Sequence, residues 1–409
     1  MLSGRTVLVG ACGGIALYKV PLLISRLREL RAGVHVIMTE AATRFVSPLT
    51  FQTVSGNAVH TDLFARPQLW NVEHIALAER ADLMVLVPAT ANILAKAATG
   101  IADDFLTTTL LAVTCPVLVV PAMNAAMYRH PATSRNIETL RGFGHEVLEP
   151  DTGRLASGAV GPGRYPSTER ILAACLRLLG PGDLCGRKVV VSAGPTREPF
   201  DPVRFISNPS TGRMGFALAA EARRRGADVV LVAGPTELDP PDDVAVKRVV
   251  TTSEMRDAVL GEASGADVVV MAAAPADWAP ADSFDRKVKK GEAGLGLRLV
   301  VTPDILAELG RAERRPPVVV GFAAETDDLV ANAREKLGAK DADLIVANPV
   351  CREPGSGFAA PTNRAVILAR DGSAEELPLM SKSDIASAVF DRIVLLLGRQ
   401  AGLNRTPEG

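Results

Sequence analysis

The feature that most constrains this chain is that the same succession of strand and turn signals runs through it twice. Gly4-Arg5 opens the short β-branched run at 6–9, and Gly186-Arg187 opens the run at 188–192, each leading into glycine as buried parallel strands do. A helical stretch then ends at glycine in both halves. Arg31-Ala32-Gly33 precedes a second strand at 34–38, and Arg225-Gly226-Ala227 precedes one at 228–233. An Ala-Asp pair introduces the third strand each time, Ala81-Asp82 before 83–87 and Ala266-Asp267 before 268–272. Strands alternating with helices, twice over, predict an α/β chain of two doubly wound, mostly parallel sheets.

The length agrees, because 409 residues exceed one ordinary domain of roughly 100 to 200 residues. Turn formers cluster in Gly180-Pro181-Gly182-Asp183-Leu184-Cys185-Gly186, which sets the expected domains at 1–180 and 187–400, with a polar tail at 401–409. Further strands are expected near 318–322, 344–347 and 365–368, and a last helix over 383–397. With 47% apolar and 22% charged residues, the composition suits compact cores on aliphatic strands. A formal net charge of −1 excludes a polyanion-binding field, so no nucleic-acid partner is expected. No secretory pattern opens the chain, no apolar run approaches ~18 residues, and the five scattered cysteines form no C-x-x-C pair. A cytoplasmic protein without membrane contact, disulfide framework or zinc site is the expectation. Lysine is scarce, ten against thirty-five arginines, yet Lys287, Lys289, Lys290, Lys336 and Lys340 fall close together.

In open α/β sheets ligands sit outside the carboxyl ends of the strands. The loop after the first strand reads Gly10-Ala11-Cys12-Gly13-Gly14-Ile15-Ala16. Its glycines let backbone amides approach a phosphate at a helix N-terminus, although a tight turn alone would use the same residues. It is not a full G-x-G-x-x-G, and the second strand ends in Met38-Thr39 rather than an acid, which disfavours a dinucleotide held by its ribose. The third strand runs into Pro88-Ala89-Thr90-Ala91-Asn92 and the fourth into Pro121-Ala122-Met123-Asn124. His74 is the one histidine of five in a polar loop-to-helix setting near these ends, a setting that also suits a plain helix start. Residues 155–164 are glycine-rich and are expected as a long unstructured loop serving as a lid.

These segments, with Tyr18-Lys19, Glu40 and Gly161-Pro162-Gly163-Arg164, resemble across 1–178 the homo-oligomeric flavin-containing cysteine decarboxylase family, nearest its phosphopantothenoylcysteine decarboxylase branch. The resemblance implies a flavodoxin-like domain with FMN over Gly13, Gly14, Ile15, Thr39, Thr90, Ala91 and Asn92. It further implies that His74 serves the acid/base and oxidation steps and that Asn124 binds the departing carboxylate. The implied chemistry converts the cysteinyl thiol to a thioaldehyde, whose C=S accepts the electron pair left by CO2, giving an ene-thiolate. Two positions depart from the family. Cys12 stands where a hydroxyl usually precedes the two glycines, and a thiol is a weaker donor. Ser157 stands where the flap usually carries the cysteine that protonates the ene-thiolate. Either Ser157 works through water, another donor substitutes, or an oxidised ene-thiol is released; retained decarboxylation with an altered donor is the expectation.

The second half has Ser192-Ala193-Gly194-Pro195-Thr196-Arg197-Glu198 after its first strand, then a run from Asp201 to Asn208 that includes Arg204. Ser210-Thr211-Gly212 leads into a helix, with Thr211 and Gly212 expected as N-cap and close-approach position, and no Walker lysine follows. The third strand ends in Ala272-Ala273-Ala274-Pro275-Ala276-Asp277, followed by Arg286-Lys287-Val288-Lys289-Lys290. A basic run is commonly a solvated loop, but a lysine is also a compact charge that can follow a triphosphate through changing geometry.

With Pro303-Asp304-Ile305, Phe322, Lys336 and Lys340, residues 187–395 resemble the bacterial CTP-using phosphopantothenate-cysteine ligases, a Rossmann-like nucleotide-binding fold. The order of the halves resembles the bifunctional coenzyme A biosynthesis flavoproteins. That resemblance implies CTP on Met271, Ala272, Ala273, Asp277, Pro303, Asp304, Ile305, Leu306, Phe322, Lys336 and Lys340. Lys287 would neutralise phosphate charge in the transition state, Asn208 would orient an acyl-cytidylate with Arg204, and Mg2+ would bridge phosphates with few protein ligands. Thr302 stands where relatives often have Asn. The implied substrates are 4′-phosphopantothenate, L-cysteine and CTP, and the implied assembly joins trimeric flavin domains and dimeric ligase domains, a dodecamer being one such assembly. A nicotinamide dehydrogenase would need a ribose-binding acid that is absent here, and a flavin domain kept only as an interaction scaffold is the non-enzymatic alternative.

Overall fold

The repeated Gly-Arg and Ala-Asp signals meet in space. Asp82 accepts from Arg5 Nη1 at 2.7 Å and from the backbone N–H of Thr6 at 2.7 Å. Asp267 repeats the arrangement with Arg187 Nη1 at 2.6 Å and the N–H of Lys188 at 2.9 Å. Each carboxylate therefore ties the start of one strand to the start of its neighbour. The computed structural model describes residues 2–63, 73–156, 158–289, 295–325, 328–349 and 360–403. The chain divides into two units, Met1–Gly180 and Pro181–Gly409.

The first unit holds β1 (Thr6–Ala11), β2 (Gly33–Met38), β3 (Val59–His60), β4 (Leu83–Ala89), β5 (Val117–Pro121) and β6 (Glu146–Val147), then a hairpin of β7 (Asp151–Arg154) and β8 (Val160–Arg164). The six-stranded sheet runs β3-β2-β1-β4-β5-β6 and all its pairs are parallel. Without the two-residue β3 this is the 2-1-3-4-5 order of flavodoxin-like sheets. Alternate residues serve opposite faces, as the pleat requires. Val7, Val9, Val85 and Val87 join one buried cluster, and Leu8, Met84 and Leu86 the other. Burying such a side chain contributes about 1.5–3 kcal/mol, so both faces must carry helices.

The second unit holds β9 (Lys188–Ala193), β10 (Arg197–Pro199), β11 (Phe205–Ser207), β12 (Asp228–Ala233), β13 (Ala245–Arg248), β14 (Val268–Met271), β15 (Trp278–Pro280), β16 (Leu299–Val301), β17 (Val318–Glu325), β18 (Leu344–Pro349), β19 (Thr362–Ala369) and β20 (Ala374–Ser381). Its main sheet runs β13-β12-β9-β14-β17-β18-β19-β20. The first six strands follow the 3-2-1-4-5-6 Rossmann order in parallel, and β19 and β20 are added antiparallel. β10 pairs with β11, and β15 with β16, as small antiparallel hairpins.

Three expectations need correction. The glycine-rich 155–164 stretch is not an unstructured loop, because Val160–Arg164 pairs antiparallel with Asp151–Arg154. Gly212, with φ of 80°, is the N-cap of the helix Arg213–Arg224, and no side chain caps it. The last helix is Lys382–Leu403, so it continues into the segment read as a polar tail; 404–409 lie outside the described residues.

Candidate functional site

A cavity of about 1070 Å³ opens at the carboxyl ends of β1, β2, β4 and β5. The β1 loop brings Cys12, Gly13, Gly14 and Ile15 to it, β2 brings Thr39, β4 brings Thr90, Ala91 and Asn92, and β5 brings Asn124. Local chemistry sets three of these. Thr39 caps the helix Glu40–Thr43 by accepting the N–H of Ala42, Thr90 caps Ala91–Thr99 through Ile93 N–H, and Asn124 Oδ1 accepts Ala126 N–H at 2.8 Å. Helix starts therefore converge on one space, where their N–H groups and dipoles favour an anion. At Gly13 a Cβ would lie 2.5 Å from Ala41 Cβ, so only glycine lets these two segments approach.

The hairpin β7–β8 lines the same cavity with Arg154, Gly163 and Arg164, and Gly163 O accepts from Met123 N–H at 3.0 Å, which joins the hairpin to the end of β5. Lys96, Asp103 and Asp104 also line it, with Lys96 Nζ 2.6 Å from Asp103 and 3.2 Å from Asp104. The first of these bonds raises the lysine pKa most. Cys12 is buried, its thiol directed at Gly10 O at 3.9 Å, and burial pushes its pKa far up, so it is a neutral thiol. His74 is not among the lining residues. It lies on the helix Glu73–Arg80, edge-on to Phe105 at 6.1 Å, while His60 stacks on that ring at 5.3 Å and pairs with Glu73 at 3.3 Å. Ser157 lies outside the described residues.

In the second unit a cavity of about 420 Å³ opens past the end of β14 and along the carboxyl-terminal parts of β17 and β18. It brings together Asn208, Ala272, Ala273, Asp277 and Phe322 with Ser210, Thr211, Gly212, Asn348, Asn363 and Lys382. Asn208 Nδ2 donates to Ala274 O at 3.0 Å and Pro275 O at 2.9 Å, which fixes the orientation of its carboxamide against the end of β14. Lys382 is buried, and desolvation first, then the charge of Arg213, lowers its pKa.

The remaining expected residues are not in that lining. Met271 is buried in the core beneath. Pro303, Asp304, Ile305 and Leu306 start the helix Ile305–Gly310, where Asp304 accepts Ala307 N–H at 3.0 Å and makes an ion pair with Lys340. Lys336 and Lys340 sit at the end of the helix Leu329–Ala339, Lys340 as its C-cap. Lys287 is exposed, and Arg204 is held by Asp201 in the β10–β11 hairpin. Sequence reasoning missed Lys96, Asp104, Asn363 and Lys382; the scarcity of lysine could have singled out two of them. Among the described residues no group of three His, Cys, Asp or Glu is placed to hold a metal ion, and no helix is long and apolar enough to cross a membrane.

Residues 1–180 match the family described as Flavoprotein, and 184–396 match the DNA/pantothenate metabolism flavoprotein C-terminal domain. The coenzyme A biosynthesis bifunctional protein CoaBC of Bacillus subtilis (strain 168) is 48% identical over 406 residues, 98% of this chain and 99% of that protein. The chain belongs to the family of bifunctional coenzyme A biosynthesis proteins. The CoaBC protein of Mycobacterium tuberculosis (strain ATCC 25618 / H37Rv) is 46% identical over 409 residues, 96% of this chain and 97% of that protein. A crystal structure of the C-terminal domain of CoaBC is 36% identical, covering 53% of this chain and 99% of that one with a TM-score of 0.46. Both cavities therefore lie in units that the family joins in one chain.

Proposed function

We propose that this protein catalyses two consecutive steps of coenzyme A formation. The second unit joins L-cysteine to 4′-phosphopantothenate at the expense of CTP, and the first decarboxylates the product, 4′-phosphopantothenoylcysteine, to 4′-phosphopantetheine. The observation that carries this is the pair of cavities at the carboxyl ends of two doubly wound sheets in a chain of this family. A carboxylate is a poor acyl donor, so its oxygen attacks the α-phosphorus of CTP and pyrophosphate leaves; the amine of cysteine then attacks the acyl carbon and CMP leaves. CTP would be held by Met271, Ala272, Ala273, Asp277, Pro303, Asp304, Ile305, Leu306, Phe322, Lys336 and Lys340, and Mg2+ would enter with its phosphates. Lys287 stabilises charge on the phosphates, and Asn208 with Arg204 orients the acyl-cytidylate.

What supports FMN in the first cavity is the Gly13 cradle and the convergence of helix starts around it. Bound there, FMN would supply reversible two-electron oxidation of the cysteinyl group. Gly13, Gly14, Ile15, Thr39, Thr90, Ala91 and Asn92 hold the cofactor, Asn124 holds the substrate carboxylate, and His74 moves a proton. Ser157 or water beside it returns the last proton. We read the assembly as a homo-oligomer of trimeric flavin units and dimeric ligase units. Exposed apolar side chains such as Leu22, Phe45 and Leu49 on the first unit, which line neither cavity, support this reading, and light scattering tests it.

The purified protein is expected to be yellow and to release CMP only when 4′-phosphopantothenate and cysteine are both present. A colourless protein without cysteine-dependent CMP release would sink the proposal. A second reading, in which the flavin unit stops at an oxidised ene-thiol or is a scaffold, is favoured by one observation, the serine at 157. Mass spectrometry of the product separates the readings: phosphopantetheine marks the full cycle, an ene-thiol the stalled one, and no CO2 release the scaffold. Ser157→Cys should convert a stalled enzyme to a complete one.

A further inference from the structure

Lys287 stands on residues 284–289, a stretch without helix or strand, and its side chain is exposed. What anchors this stretch is one carboxylate in the turn between β10 and β11. Asp201 has a side chain with 0% exposure. Its Oδ1 accepts the backbone N–H groups of Val203 at 2.9 Å and Arg204 at 2.8 Å, which is enough to close the turn. Its Oδ2 does something the turn does not need. It accepts Arg204 Nε at 3.0 Å, Arg204 Nη2 at 2.6 Å and the backbone N–H of Val288 at 3.2 Å. Arg204 Nη2 also donates to Val288 O at 2.8 Å. Both backbone polar groups of the residue after Lys287 are thus held by a single ion pair. A second anchor is Phe284 N–H on Phe200 O at 2.9 Å, and the Arg204 guanidinium lies 5.1 Å from the Phe200 ring centroid.

We propose that Asp201 is a positioning residue for ligation: with Arg204 it grips the backbone of Val288 and so sets where the Lys287 ammonium stands when the nucleotide is attacked. The proposal rests on the role given to Lys287 above. A lysine at the end of an untethered segment would lose backbone and side-chain freedom on meeting the phosphates; the grip on Val288 removes part of that loss beforehand. The bonds from Arg204, then those from Val203, Arg204 and Val288 N–H, hold the Asp201 carboxyl well below the usual carboxylate range, so the grip is intact throughout the neutral range.

The test uses the full-length protein with Asp201→Asn, Lys287→Ala and both together. CMP release with saturating and varied CTP is measured, together with the rate of trypsin cleavage after Arg286, Lys287 and Lys289, mapped by mass spectrometry. Asp201→Asn should lower kcat about tenfold or more, speed cleavage within 286–289, and add less than about twofold to the defect of Lys287→Ala. Multiplicative defects, or unchanged cleavage, would overturn the proposal. Val288→Pro removes the N–H and leaves Asp201 and Arg204 in place, so it should reproduce the loss of kcat even if Asp201→Asn folds poorly; full activity in it would also overturn the idea. Full activity of Lys287→Ala would instead remove the reading of Lys287, and because cleavage is scored without ligation the two failures are distinguishable.

Discussion

At the scale of single residues, glycine and lysine carry most of the argument. The absence of a Cβ at Gly13 serves a contact with Ala41, on the helix after β2; the loop itself could be read in the sequence because its glycines follow directly on a strand. Gly13→Ala would force its Cβ to 2.5 Å from Ala41 Cβ and 2.8 Å from the Ala41 carbonyl carbon, displacing the start of the helix Glu40–Thr43 at the cavity. Such overpacking costs about 1–3 kcal/mol. The expected outcome is a folded protein that loses flavin on purification, seen as lost visible absorbance; retention equal to the parent would contradict the cradle. Lys287→Arg keeps the charge but replaces a compact ammonium with a planar fork, and CMP release should fall about tenfold or more. Lys382 and Lys96 were legible only as members of a scarce residue type. Nothing in their neighbours along the chain says that one lines the cavity of the second unit with Asn363 and the other lines that of the first and pairs with Asp103.

At the scale of elements, the strands of both sheets were legible because buried parallel strands are short aliphatic runs punctuated by glycine. The edges were not. β3, β6 and β13 are short, with too little apolar pattern to stand out, and β20 pairs antiparallel with β19 through residues that are partly exposed. The hairpin that replaces the lid expected at 155–164 was not legible because its first strand, Asp151–Arg154, has no strand-like pattern of its own. The Asp82 device gives a test at this scale. The Thr6 N–H, aided by Arg5, lowers the Asp82 pKa on folding. A depressed folded value stabilises the protein above the ordinary carboxylate pKa, ~3.9, and that contribution is lost as pH falls through the lowered value. Asp82→Asn should therefore lower the urea midpoint of the first unit near pH 7, and the gap from the parent should narrow progressively as the pH falls below ~3.9 through the lowered folded value. A gap that persists in acid would show that packing, not the carboxylate charge, is responsible.

At the scale of the whole molecule, each unit has its own buried clusters on both faces of its own sheet, so the two activities should be separable by substitution. Asn208→Ala removes the carboxamide that spans Ala274 O and Pro275 O and should abolish cysteine-dependent CMP release by about a hundredfold. Supplied with 4′-phosphopantothenoylcysteine, the same variant should decarboxylate it at the parental rate; a matching loss there would mean that the ligase site is required for the flavin chemistry. By itself the sequence determined the α/β class, the twofold winding, the glycine-containing loops after the first strand of each half and the family resemblance, because each depends on short stretches of chain and on residue type. Only the tertiary structure decided that Asn208, Asp277, Phe322 and Lys382 share a cavity, that His74 packs edge-on to Phe105, and that Asp201 reaches Val288. Those placements depend on strand order and on hydrogen bonds between segments distant in sequence, which no local pattern encodes.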